Sequence, residues 1–85
     1  MKVLVLPRAE KELKNLPKFD QIAVIEKIKK IPKEPNSEKL TGYSNIYRVR
    51  VGNYRMVYRK TVDIISIILI RHRKEVYKIL KQIIG

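Results

Sequence analysis

The chain has 85 residues, with 20 Lys and Arg against 8 Asp and Glu, one His, and neither Cys nor Trp. That length suits a single domain, residues 1–85, and leaves no room for a second. The lack of cysteine excludes a disulfide scaffold, a thiolate metal centre and a Cys nucleophile, and fits a reducing, cytoplasmic setting.

One His and a few scattered carboxylates offer no metal-ligand cluster, so neither metal nor cofactor is expected. A formal net charge of +12 points to a polyanionic partner: nucleic acid, an anionic membrane or an acidic protein. The membrane option fails on pattern. The longest apolar stretch, Ile64 to Ile70, is broken by Ser66 and is far too short to span a bilayer. The opening MKVLVLP is too short for a signal peptide and is stopped by Pro7.

In chain order, residues 2–6 (KVLVL) read as a short buried strand ended by Pro7. Pro7 then suits the first turn of a helix whose apolar residues Ala9, Leu13 and Leu16 form one stripe. Pro17 closes it. A second helix runs from Lys18 to about Ile31, with Phe19, Ile22, Ile25 or Glu26, Ile28 and Ile31 recurring at three to four residues as its expected stripe, and Pro32 stops it. The two helices read as an antiparallel hairpin. The segment from Pro32 to Asn45 is turn-rich and reads as a surface loop, with Leu40 and Tyr43 folding back onto the core.

The apolar period then changes to two. IYRVRV, Gly52-Asn53 and YRMVYRK form a hairpin with a two-residue loop, the leading Gly suiting a type II′ turn. The run VDIISIILIR is a nearly continuous apolar strand, which belongs in the middle of a sheet. RKEVYKILKQII returns to helical spacing through Val76, Leu80 and Ile83. The order β-α-α-β-β-β-α predicts an α+β fold: a single small sheet holding a three-stranded antiparallel meander, with helices on one face.

The hairpin fixes a register. With Gly52 and Asn53 as the loop, Val51 faces Tyr54, Arg50 faces Arg55, Val49 faces Met56 and Arg48 faces Val57. Alternation then gathers Arg48, Arg50 and Arg55 on one face and leaves Tyr47, Val49, Val51, Tyr54, Met56 and Tyr58 for the core. Like charges directly opposite destabilise a sheet by about 0.2–1 kcal/mol. Two readings stand: a solvated sheet face, or an arginine face that an anion neutralises.

On strand alternation Arg71 points with Ile65, Ile67 and Leu69, and His72 the other way. Arg73 and Lys74 follow at once, and Tyr77 lies one turn beyond Arg73. Tyr77 is either a packing aromatic or part of the site. His72 is either a surface imidazole or a participant.

The segments LTGYSNIYRVRVGNYRMVYRK and IILIRHRKEVYK resemble the RelE/ParE superfamily of toxin–antitoxin toxins, in its RelE-like branch. The resemblance covers essentially the whole chain. It implies a ribosome-dependent mRNA endonuclease that cuts the codon in the decoding site and is neutralised by a cognate acidic antitoxin in a hetero-oligomer. By motif position it implies a catalytic set of Arg48, Arg50, Arg55, Arg71 and Tyr77. Arginine stands where some relatives carry lysine, and His72 occupies a variable position. Lys39, Arg59, His72, Arg73 and Lys74 are expected to contact RNA, through bonds that are salt-dependent where they reach phosphate.

Without a metal, RNA is cut when the 2′-OH attacks the neighbouring phosphate, giving a 2′,3′-cyclic phosphate and a free 5′-OH. Arginines supply charge stabilisation but are poor bases. Tyr77 is the candidate for proton handling or base stacking, with His72 in reserve. Two other functions fit the same sequence: a ParE-like gyrase inhibitor without nuclease activity, and a non-enzymatic basic module that binds RNA or the ribosome.

Overall fold

A computed structural model describes residues 2–33 and 37–84. Its elements are β1 (Lys2–Val5), α1 (Pro7–Lys14), α2 (Lys18–Lys30), a 3₁₀ turn (Ile31–Lys33), β2 (Glu38–Lys39), β3 (Ile46–Val51), β4 (Tyr54–Lys60), β5 (Ile64–His72) and α3 (Val76–Ile84). The strands form one mixed sheet in the order β1-β5-β4-β3-β2. β1 runs parallel to β5 across the αα-hairpin, and the other pairings are antiparallel. The apolar run of β5 therefore sits inside the sheet, paired on both sides.

Pro7 opens α1, and Asn15 ends it with bonds back to Lys11 and Glu12. Gln21 of α2 then donates its side-chain amide to the carbonyls of Leu16 (2.8 Å) and Lys14 (3.1 Å), closing the free end of the first helix onto the second. In α1, Ala9 is buried and Leu13 and Leu16 pack beside it.

The α2 stripe differs from the expected one. Val24 and Ile31 are buried with Ala23 and Ile28 against them, whereas Phe19 is 82% exposed, Ile22 53% and Ile25 40%. The helix carries two apolar stripes, and the one with small residues lets it lie close to the sheet.

The side of α3 differs as well. α1 and α2 cover one face of the sheet, where Val49, Met56, Tyr58, Ile65, Ile67 and Ile70 are buried. α3 covers the other, packing Val76 and Leu80 on Ile46, Val57, Ile68 and Leu69. A β-bulge explains the split. Val57 pairs with Leu69 and Tyr58 with Ile67, so Ile68 is an extra residue in β5. One inserted residue exchanges the faces for everything beyond it. Leu69 and Arg71 thus leave the face of Ile65 and Ile67 and join that of Val57 and Arg55.

The segment read as a loop contributes the edge strand β2, with Glu38 opposite Arg48 and Lys39 opposite Tyr47. Residues 34–36 of that segment lie outside the described residues. Leu40 and Tyr43 do pack on the α3-side core. In the β3–β4 turn Gly52 takes φ +59° and Asn53 keeps a negative φ, the II′ pattern.

Two substitutions separate the sheet core from the exposed face of α2. Ile67→Ala is expected to cost about 2–5 kcal/mol in urea unfolding, and Phe19→Ala to stay within about 0.5 kcal/mol of the parent.

Candidate functional site

The β3–β4 register is the one the hairpin predicts, and β5 extends it. Arg50 stands opposite Arg55, and Arg55 opposite Arg71. Directly paired residues share a face, so these three arginines form one row across three adjacent strands, about 5 Å apart from strand to strand. The next row is Arg48, Val57 and Leu69. α3 roofs the apolar part of that face and leaves the arginine row at its uncovered end.

Nearby acids and carbonyls hold each guanidinium. Arg48 donates one Nη to the Tyr77 hydroxyl and the other to Glu38 Oε2 at 3.1 Å. Its guanidinium carbon also stands 5.4 Å from the Tyr77 ring centroid, a cation–π contact. The Glu38 carboxylate, and after it the Tyr77 hydroxyl, hold the Arg48 pKa above the usual arginine value. The stabilisation that a raised arginine value confers is fully present below the ordinary arginine pKa and is lost only as pH rises through the raised one.

Arg50 Nε and Arg55 Nη1 both approach the Gly52 carbonyl, at 3.4 and 3.5 Å, and Arg55 also donates to the Tyr54 carbonyl at 3.1 Å. The turn thereby draws the two like charges to one acceptor. Arg71 ion-pairs with Glu12 of α1 at 2.7 Å and Glu75 at 3.4 Å.

Tyr77 is 43% exposed on the first turn of α3. Its hydroxyl accepts from Arg48, which joins it to the arginine face. Lys39 shares its side of the sheet with Tyr47, on the α1/α2 face, away from the row. Arg59 lies on the row's face but four residues farther along β4, opposite Ile46. His72 pairs with Tyr54 and meets its ring edge-on at 5.9 Å, again on the α1/α2 face. Arg73 and Lys74 are exposed in the turn before α3.

The profile of the family described as ParE toxin of type II toxin–antitoxin system, parDE, matches residues 3–77. Toxin RelE3 of Methanocaldococcus jannaschii is 36% identical over 88 residues, spanning 91% of this chain and 96% of that protein. The chain belongs to the RelE/ParE superfamily of type II toxins.

Among solved structures, a chain of the RelB–RelE antitoxin–toxin complex from Methanococcus jannaschii has a TM-score of 0.74 at 29% identity, over 89% of this chain and 96% of that one. The Mycobacterium tuberculosis RelBE2 complex gives a TM-score of 0.74 at 26% identity, over 85% of this chain and 90% of that one.

In this RelE/ParE toxin, sequence reasoning missed the acids. Glu12, Glu38 and Glu75, three of the eight acidic residues, all contact arginines of the site. Glu75 was legible as a partner because it follows Arg71 by four residues across the short turn between β5 and α3. Glu38 sits in a two-residue strand, too short to show a period. Glu12 lies 59 positions before Arg71 in the chain, and only the parallel β1–β5 pairing brings it near.

The arrangement predicts an order of anion capture. When sulfate is titrated into isotope-labelled protein, the Nε–H resonances of Arg50 and Arg55 should shift at lower sulfate than that of Arg71, whose Nε faces Glu12. An Arg71 that responds first contradicts the assignment.

Proposed function

We propose that this toxin is a ribosome-dependent mRNA endonuclease acting in the cytoplasm. The observation that carries the reading is the cross-strand row Arg50–Arg55–Arg71 beside the Arg48–Tyr77 contact. Three arginines paired in register form a poor surface for an isolated protein and a good one for a phosphate whose charge rises in the transition state.

In the proposed reaction the 2′-oxygen attacks phosphorus and the P–O5′ bond breaks. A proton leaves the 2′-OH and another reaches the 5′-oxygen. Arg50, Arg55 and Arg71 bind the phosphate oxygens. Glu38 orients Arg48, which holds the Tyr77 phenol at the margin of the row, where it exchanges a proton or stacks on a base. The set contains strong charge stabilisers and no strong base, which suits an enzyme that depends on the ribosome to align its substrate.

The partner we infer is an acidic antitoxin. The similar M. jannaschii and M. tuberculosis structures are toxin–antitoxin complexes, and a chain of net charge +12 favours a polyanionic cover. A second reading, gyrase inhibition, has the ParE family match behind it. It assigns no phosphate to the arginine row.

Mapping mRNA 5′ ends in a reconstituted translation system separates the two. The nuclease reading expects codon-phased cuts that require ribosomes and fall about a hundredfold or more in Arg55→Ala and Arg71→Ala. Intact mRNA together with inhibited DNA supercoiling would favour the gyrase reading.

A further inference from the structure

Arg71 ends β5 on the arginine face, yet its guanidinium is anchored from the α1 side. Its Nε lies 2.7 Å from Glu12 Oε2 as an ion pair. Both atoms are buried and neither has a hydrogen-bond partner among the described residues, so charge attraction rather than an aimed N–H···O bond makes the contact. The second Glu12 oxygen accepts the Ile70 N–H at 3.0 Å. That N–H lies on the margin of β5 beyond the reach of β1, whose last bond is from the Leu6 N–H to the Ile67 carbonyl. One carboxylate, 12% exposed, therefore caps the open strand edge and grips the arginine. By contrast, Glu75 meets an Arg71 Nη at 3.4 Å from a side chain 59% exposed. The Glu12–Arg71 pair forms part of the wall of a cleft of about 490 Å³, lined also by Arg8, Lys11, Tyr54 and His72.

Arginine carries much rotamer freedom, which is lost whenever it grips a phosphate. An arginine already fixed at Nε has lost it on folding and presents its outer nitrogens ready-oriented, the preorganisation that charge stabilisation requires. An exposed pair is worth little, whereas removing one partner of a buried pair leaves an uncompensated charge. The two carboxylates on Arg71 thus have different parts. The buried one holds Nε; the exposed one occupies the position that an incoming phosphate takes.

We propose that Glu12 is a positioning residue for Arg71, anchoring Nε so that the Nη groups meet the scissile phosphate, and that Glu75 is the contact the phosphate displaces. This rests on the nuclease reading and deepens it, assigning to the site a residue on the helix across the sheet.

Glu12→Gln tests it, because the amide keeps the size and an oxygen for the Ile70 N–H while removing the charge facing Arg71. The cleavage kcat on ribosome-held mRNA should fall about tenfold or more, with KM changed less. In an Arg71→Ala background the same substitution should have no further effect. The buried Arg71 Nε–H should exchange slowly in the parent and faster in Glu12→Gln. Glu10→Gln, whose carboxylate pairs with Lys14 at 3.0 Å, should cut like the parent.

Full activity in Glu12→Gln, or an equal loss with and without Arg71, overturns the positioning role while leaving the nuclease reading intact. Unchanged Nε–H protection overturns the anchor whatever the cutting. A parent protein that leaves the mRNA whole overturns the nuclease reading itself.

Discussion

Three arginines directly opposite one another on three neighbouring strands impose the constraint around which the rest of the molecule is arranged. Each adjacent like-charge pair works against the sheet, so the scaffold beneath must be strong and the charges must be managed locally. The scaffold is supplied by β5, buried between β1 and β4 and covered on both faces. Local management takes two forms. The Gly52 carbonyl attracts Arg50 and Arg55 together, and carboxylates from β2, α1 and the turn before α3 hold Arg48 and Arg71. Although the chain is strongly basic, three of its eight acids contact Arg48 or Arg71.

The bulge at Ile68 connects fold to site. It lets β5 bury Ile65 and Ile67 under the αα-hairpin and Leu69 under α3, and then delivers Arg71 to the face of Arg55. An unbulged β5 would send Arg71 to the opposite face. The bulge thus divides β5 between two cores and aligns the arginine row.

Legibility in the sequence followed the length of the physical signal. The hairpin register was readable because a Gly-Asn turn and strict alternation over Tyr47–Tyr58 leave one consistent pairing. The αα-hairpin was readable from Pro7, Pro17 and Pro32. The side taken by α3 was not read, although the unbroken apolar run of β5 implies cover on both faces. A single inserted isoleucine in such a run leaves no break in alternation to notice. The α2 stripe was misassigned because two apolar stripes compete there, and the small Ala23 and Val24, not the large Phe19, decide how closely the helix packs. Of the site, the cations were visible in the sequence, while Glu12 and Glu38 depended on long-range and edge-strand pairings that leave no local pattern.

The most direct test pairs stability with activity in one variant. Urea unfolding of the parent and Arg55→Gln at low salt measures what the central arginine costs the fold, and the cleavage assay on the same preparations measures what it provides. The predicted result is a variant more stable by about 0.2–1 kcal/mol that no longer cuts mRNA. A variant that is less stable than the parent, or one that still cuts, contradicts an arginine row held in the sheet for an anion.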